Sequence, residues 1–414
     1  MKKNKRLKLN TIDELAMAYK KIKARCRYFG ECGGCLMQNL AYGDQVALKC
    51  ELVNRAFEKN GLDARLEKSA VTLSPEQWFY RNRMDYPVGE NDEIGLKPFG
   101  KWRDVLDLKE CFLLSKDTPE ILQLVRDWMA AWQLPGWNNV RYTGYVRYVV
   151  IREGKFTGER MIMVVTGEDR STVPRASGSE RGDEPDTDVW DDLARRLKSS
   201  CTTLYHGVNP TITDISIPEE LHLLFGPKFL TEKINGYTFK IFPSSFFQTN
   251  SAGAELLQQR VGAQVCGTRV LDLYCGMGFF TIDCAARGKK SFGVELDAAA
   301  IDLARENAAL NNVSAEFAAA SMEEWVKGDG PVIIKNFKPD SIVIDPPRMG
   351  LHPRVLEWVC EQRAPELIYV SCNFEQLARE MVELQKVYRL TALEAVDMFP
   401  HTPHIETIAR FEAI

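Results

Sequence analysis

The chain has 414 residues, 45% of them apolar, and balances 53 basic against 57 acidic side chains for a formal net charge of −4. This is enough apolar chain for more than one core, so two or three domains are expected, and no apolar run approaches the length of a membrane span. The near-neutral balance excludes a globally basic nucleic-acid wrapper, so any nucleic-acid surface must be local.

The first 25 residues read as a basic arm. Lys2, Lys3, Lys5, Arg6 and Lys8 open it, and Lys20, Lys21, Lys23, Arg25 and Arg27 lead into a cysteine cluster. Such groups neutralise phosphates and add salt-dependent affinity without conferring sequence choice. A solvated tail and one helix face would have the same composition.

Cys26, Cys32 and Cys35 follow, with five and then two residues between them, and Gly33 and Gly34 permit a tight wrap around a ligand. Cys111, in DLKECFLL, is the expected fourth member. Four thiolates suit zinc or an iron–sulfur cluster, and spacing alone does not separate the two. The eleven cysteines are an odd number and no apolar signal segment opens the chain, so disulfides are the less economical reading and a reducing cytoplasm the expected setting. Cys50, Cys201, Cys266, Cys275, Cys284 and Cys360 read as packing residues.

From about 70 to 240 the pattern changes to short β-like runs, of which GYVRYVVIRE and RMIMVVTG are the clearest. Tyr80, Arg81, Arg83, Tyr142, Arg147 and Tyr148 mix aromatic and cationic groups, a composition suited to unpaired bases but better accounted for as an ordinary sheet face. The polar, glycine- and proline-bearing stretch 167–188 reads as a mobile loop.

The second half alternates strands and helices, which predicts a doubly wound parallel sheet. RVLDLYCGMGFF is a strand running into a turn where Gly276 and Gly278 let the backbone approach a ligand. SFGVELD supplies a second strand ending in Glu295, a carboxylate suited to ribose hydroxyls, which together describe a nucleoside-cofactor site without the full dinucleotide fingerprint. Asp297 to Asn311 reads as a helix, Ser341 to Ile344 as a strand, Val355 to Glu361 as a helix and Leu367 to Val370 as a buried strand. Cys372 therefore sits at the carboxyl end of a strand, the edge where open α/β sheets bind ligands. Thr391 to Val396 and Ile405 to Phe411 read as two closing strands, with an antiparallel strand added at the edge of the sheet.

SSFFQTN, GVELD, IDPPRMG, SCNFEQLARE and DMFPHTPHIE, in this order between residues 244 and 414, resemble the S-adenosylmethionine-dependent RNA uracil-C5 methyltransferase family. The N-terminal cysteines extend the resemblance to nearly the whole chain. It implies an α/β architecture in which a Rossmann-like class I methyltransferase domain, a doubly wound sheet, spans 244–414. A β-rich central RNA-binding domain would span 70–243 with its mobile loop at 167–188, a cysteine-cluster region 26–69 completed by Cys111, and the basic arm 1–25.

The resemblance also implies roles. Carbon 5 of uracil is too weak a nucleophile to take a methyl group unaided, so a thiolate first adds at carbon 6. Cys372 matches that nucleophile and Glu406 the base that later removes the carbon-5 proton. Asp345 matches a position near both uracil and cofactor. Gln248, Tyr274, Gly276, Glu295, Ser321 and Asp345 are the expected S-adenosylmethionine contacts, and Cys26, Cys32, Cys35 and Cys111 the expected ligands of a 4Fe-4S cluster. Three positions depart from the family pattern: Phe279 stands where asparagine is frequent, Phe374 where proline is usual, and Gln376 where threonine is. His401 and His404 lie near Glu406, and His404 shares its strand face in a period-two pattern.

The expected partner is a structured RNA rather than DNA or a membrane, with a flipped uridine in a loop. The DMFPHTPH and FFQTN wording, with too few residues before Cys26 for a small β-barrel, favours 23S rRNA over tRNA. A monomer is expected. An iron–sulfur redox protein and a non-catalytic RNA-binding ribosome-assembly module are the alternatives from other classes; the first lacks a flavin or nicotinamide motif, and the second leaves Cys372, Glu406 and Gln248 without a purpose.

Overall fold

The computed structural model describes residues 12–168 and 187–414. Lys2, Lys3, Lys5, Arg6 and Lys8 of the basic arm, and all but the ends of the 167–188 segment, lie outside the described residues.

The larger sheet has eight strands in the order Val71–Thr72, Tyr388–Val396, Glu406–Ala413, Glu366–Ser371, Ser341–Ile344, Arg269–Leu273, Lys290–Glu295 and Glu316–Ala319. The five from Glu366–Ser371 to Glu316–Ala319 run parallel, joined by helices. Their sequences are continuous apolar runs because both faces are covered. Leu271, Leu273, Ile342, Ile344, Leu367 and Tyr369 pack into one core, and Val270, Val343, Ile368 and Val370 into the other, so alternate residues along each strand feed opposite layers. This is the Rossmann-like α/β architecture expected.

The sheet edge differs from the expectation. Glu406–Ala413 pairs antiparallel with both Glu366–Ser371 and Tyr388–Val396 and so lies inside the sheet. The edge is Val71–Thr72, parallel to Tyr388–Val396 and drawn from the far end of the chain. Two residues are too few to show a period in sequence, which is why this strand has no signature.

The N-terminal part is also divided differently by packing. Cys35 and Cys111 pack against the central core, whereas Met37, Leu40, Val53 and Phe57 share a core with Leu271, Ile342 and Leu377 of the catalytic half. The helix Tyr42–Lys59 thus serves the larger sheet rather than the cysteine loops.

The smaller sheet runs Arg83–Pro87, Val146–Glu153, Arg160–Thr166, Thr203–Val208, Glu220–Phe225. One face is sealed by the helix Thr118–Ala131, with Trp128 packed among Val149, Ile151, Ile162, Val164 and Leu193. Tyr80, Arg147 and Tyr148 are all buried; Arg147 and Tyr148 lie in Val146–Glu153, whereas Tyr80 precedes Arg83–Pro87 and is on no strand. Arg147 donates to the carbonyl oxygens of Asn209 and Thr211, both at 2.6 Å. The chain enters and leaves this domain at one neck, where the Asn82 amide donates to the Thr249 carbonyl at 2.8 Å and Arg81 bridges to Asn250. No helix among the described residues is long and apolar enough to cross a membrane.

Candidate active site

Five residues singled out in the sequence stand just beyond the carboxyl ends of the five parallel strands. Tyr274 follows Arg269–Leu273, Ser321 lies two residues past Glu316–Ala319, Asp345 follows Ser341–Ile344, Cys372 follows Glu366–Ser371, and Glu295 itself ends Lys290–Glu295. Neighbouring strands place all five along one edge, where such sheets bind ligands.

Glu406 reaches this edge from the antiparallel strand. Ser371 pairs with Thr407, so the register carried one residue further sets Cys372 opposite Glu406. The Thr407 hydroxyl donates to the Ser371 carbonyl oxygen at 3.0 Å and fixes that end of the ladder. Burial pushes the Cys372 thiol up to about 11, with the Glu406 charge adding to the rise. The Arg348 guanidinium works in the other direction, by charge and by a hydrogen bond to the thiol. Arg348 is held there because Asn373 Nδ2 donates to its carbonyl oxygen at 2.8 Å. The sequence assigns Arg348 no task of its own; a guanidinium three residues beyond Asp345 in IDPPRMG is the available signal.

The carboxyl groups form a chain of raised pKa values. Burial lifts Glu406 to about 8, helped by the charge of Asp345. Burial lifts Asp345 to about 7, helped by Asp272, which burial also brings to about 7. Asp272 is fully buried; Thr281 Oγ1 donates to its Oδ2 at 2.6 Å, and its Oδ1 has no hydrogen-bond partner. Gln248 Nε2 donates to Asp345 Oδ2 at 3.4 Å, which brings the SSFFQTN and IDPPRMG segments together.

The glycine turn takes a conformation that depends on its glycines. Gly276 and Gly278 have φ of 53° and 88°, a region that favours glycine, and Gly278 caps the helix Phe279–Ala286. Glu295 accepts from the backbone N–H of Gly276 at 3.2 Å and of Leu296 at 2.7 Å. Ser321 accepts from Glu324 N–H at 3.2 Å, capping the short helix Met322–Trp325 beside Glu295. Phe279 points into an aromatic group with Phe239, Phe247 and Phe280, so an apolar environment accounts for its departure from asparagine. Phe246 and Met349, 71% and 84% exposed, stand on segments bearing Gln248 and Arg348.

The two histidines separate. His401 is buried, takes a left-handed conformation, stacks on Trp78 at 3.8 Å and exchanges hydrogen bonds with Gln45, so its work is structural. His404 meets Phe399 edge-on at 6.3 Å.

Cys26, Cys32, Cys35 and Cys111 line one small pocket walled by Phe29, Leu96, Leu108 and Leu113. Among the described residues no group of three or more His, Cys, Asp or Glu side chains is gathered so that it could hold a metal ion. The four free thiols share this apolar-walled pocket, and the Gly34 N–H donates to Cys32 Sγ at 3.4 Å. Burial pushes Cys35 up to about 11 and Cys111 to about 12, values that a bound metal would reverse. The chain beyond Cys35 is tied to the tail, where the His401 carbonyl accepts from Leu36 and Met37 N–H at 2.9 and 3.0 Å.

A family model described as tRNA (Uracil-5-)-methyltransferase matches residues 188–412. The chain is 37% identical to a tRNA (uracil(54)-C(5))-methyltransferase of Pyrococcus horikoshii, with 94% of this chain and 86% of that one covered. It is 32% identical to a 23S rRNA (uracil(747)-C(5))-methyltransferase of the same organism, over 94% and 85% of the two chains. The crystal structure of the Pyrococcus abyssi tRNA (uracil-54, C5)-methyltransferase with S-adenosyl-L-homocysteine superposes with a TM-score of 0.74 at 33% identity, covering 92% and 86%.

Proposed function

The chain belongs to the tRNA (uracil-5-)-methyltransferase family and is an S-adenosylmethionine-dependent RNA uracil-C5 methyltransferase, and from that premise we propose how its residues divide the reaction and which RNA it takes. The observation that carries the proposal is the register that sets Cys372 against Glu406 at the ligand-binding edge.

S-adenosylmethionine, when bound, supplies an electrophilic methyl group. Cys372 adds as thiolate to uracil carbon 6, and the displaced π electrons make the ring an enolate. Arg348 stabilises the thiolate before addition. The electron pair at carbon 5 takes the methyl group. Glu406 then accepts the carbon-5 proton, the carbon–sulfur bond breaks, and the thiolate returns to Cys372. The raised pKa makes the ionised Glu406 carboxylate a stronger base than an ordinary carboxylate for this step. Asp345 and Gln248 orient the uracil and the cofactor, Glu295 takes the ribose hydroxyls, and Tyr274, Gly276 and Ser321 complete the cradle.

A 4Fe-4S cluster held by Cys26, Cys32, Cys35 and Cys111 is the reading we take for the cysteine pocket. Its task here is to hold the 26–36 segment against the tail that carries Glu406, and it takes no part in the chemistry.

For the substrate we take uridine 54 of tRNA first and a 23S rRNA uridine second. The motif wording favours rRNA, whereas the relatives named for tRNA uracil-54 stand at higher identity than the one named for rRNA. The division into a catalytic half and an RNA-binding domain around the smaller sheet belongs to the same proposal, as do a monomeric state and a cytoplasmic location.

The test is to incubate the protein and S-adenosylmethionine with unmodified tRNA and 23S rRNA transcripts and to map methylated nucleotides by nuclease digestion and mass spectrometry. Product at tRNA position 54 supports the first assignment and product only in 23S rRNA replaces it with the second. Absence of 5-methyluridine in both, from iron-replete protein, overturns the substrate reading.

A further inference from the structure

We propose that Arg25, Lys116 and the rings of Phe79 and Phe112 form a second contact for the substrate RNA, which holds an unpaired nucleotide next to the target uridine. This rests on the RNA reading above and adds to it a place and a chemistry that the reaction itself does not require.

Arg25 is exposed, and its guanidinium carbon lies 4.2 Å from the ring centre of Phe112, 5.1 Å from that of Trp78 and 5.7 Å from that of Phe79. Lys116, also exposed, brings its ammonium within 6.0 Å of Phe79. The rings brace one another: Phe112 meets Trp78 and Phe79 edge-on, both at 5.9 Å, and Trp78 is stacked on the buried His401. The cations are thereby held over a rigid floor, which lowers the ordering cost of binding. The nearby carboxylate Glu110 is already engaged by Arg27 at 3.0 Å.

Phe79 adopts φ of 57°, a left-handed conformation that is a genuine outlier for a bulky side chain. Its N–H is fixed to the Phe112 carbonyl at 2.7 Å. Backbone strain of this sort persists where the surroundings over-determine it and tends to gather at ligand clamps. Here it turns the Phe79 ring toward Phe112, Arg25 and Lys116.

The location favours the same RNA that enters the active site. Phe79 precedes Asn82 by three residues, a span of at most about 11 Å, and Asn82 Nδ2 donates to the Gln248 carbonyl at 2.8 Å. On the other side, Trp78 stacks on His401, five residues before Glu406. The floor therefore adjoins both segments that frame Cys372. Partly buried aromatic rings beside guanidinium and ammonium groups match a base on the rings with its phosphate on the cations, since every base offers a stacking face and every link a negative charge.

The test uses the full-length, iron-loaded protein with the RNA that it methylates, comparing Arg25→Ala, Lys116→Ala and Phe79→Ala. Loss of one stacking ring is expected to raise KM for RNA about 5- to 100-fold, with kcat at saturating RNA and affinity for S-adenosylhomocysteine held within about threefold. Removing Arg25 or Lys116 should lower the slope of log affinity against log salt by about one. Unchanged RNA affinity and salt slope in all three variants overturn the proposal. Should Phe79→Ala lose its thermal transition, the two exposed cation variants decide the matter alone, with iron content per chain as the check on Arg25. Filter binding keeps the two readings apart. A protein that binds RNA through Arg25 yet yields no 5-methyluridine sinks the reaction and leaves the contact, whereas normal product with indifferent variants sinks only the contact.

Discussion

Lys49 Nζ lies 2.6 Å from Asp397 Oδ1, and neither side chain has any exposure. The helix Tyr42–Lys59 is thereby bound to the DMFPHTPHIE segment, 348 positions along the chain. Burial drives the lysine pKa down, and the Asp397 carboxylate works against that fall without cancelling it. Lys49→Met leaves the carboxylate uncompensated and should cost about 3–5 kcal/mol in denaturant unfolding. Adding Asp397→Leu should restore most of that loss. A single variant as stable as the wild type would show that the pair does no such work.

The pH behaviour of Cys372 follows from its neighbours. With the thiol near 11, only about one molecule in 10,000 carries a thiolate at pH 7. Alkylation of the free enzyme by iodoacetamide should therefore accelerate close to tenfold per pH unit between 7 and 10. Arg348→Gln removes a group that lowers this pKa and should slow alkylation at pH 8. Equal rates in the two proteins would remove Arg348 from thiolate stabilisation.

Glu406 predicts two separable effects of Glu406→Gln. Without a proton acceptor the methylated, thioether-linked RNA cannot release, so a covalent protein–RNA species should accumulate and be visible by denaturing electrophoresis; Cys372→Ala should give neither adduct nor product. The second effect concerns stability. The folded-state pKa is raised from 4.5 to about 8, so the stability contributed by the neutral carboxyl is fully present below about pH 4.5 and lost as pH rises through 8. Glu406→Gln should therefore melt above the wild type at pH 8.5 and level with it at pH 4.5; the reverse order would contradict a raised carboxyl pKa at this position.

Glu380 is a positioning residue. Its buried carboxylate accepts from the Tyr369 hydroxyl, from Leu351 N–H at 2.9 Å and from Gln376 Nε2 at 2.8 Å. Those three bonds fasten the strand before Cys372, the loop bearing Arg348 and the helix Phe374–Leu384 to one point. A Cβ on Gly350 would lie 2.1 Å from its Oε1, so the loop reaches this carboxylate only with glycine there. Glu380→Ala should lower kcat about 10- to 100-fold through misplacement of the reacting groups, with a smaller change in KM for RNA. Glu380→Gln, which keeps an acceptor oxygen, should recover part of it, and a variant altered only in melting temperature would leave Glu380 a mere packing residue.

Glu295→Ala should weaken S-adenosylhomocysteine binding by about 10- to 100-fold, the worth of charge-assisted hydrogen bonds to two ribose hydroxyls. Calorimetry with the isolated ligand measures this without RNA, and unchanged affinity would place the ribose elsewhere.

The sheet and its ligand edge were legible because Tyr274, Asp345 and Cys372 each follow a short apolar run that stops abruptly, and the observed strands Ser341–Ile344 and Glu366–Ser371 fall on those runs. What the sequence withheld was pairing between distant segments. Nothing local marks Val71–Thr72 as the outer strand, or Lys49 as the partner of Asp397. Arg348 and Glu380 were inside quoted motifs, but their tasks depend on which loop faces which helix. Tyr80, Arg147 and Tyr148 carried the composition of a nucleic-acid surface and are buried, whereas Phe79 and Phe112 lie in segments with no periodic signal at all.

The neck at Asn82 and Thr249 bears on how this architecture can change. The chain leaves and rejoins the catalytic half there across a 2.8 Å hydrogen bond, while Tyr148, Val150, Met161 and Met163 of the smaller sheet share a core with Val270, Val343 and Ile368 of the larger one. A changed insert must therefore keep that apolar face, whereas the opposite, helix-covered face can vary without disturbing the strands that carry the thiol and the acid.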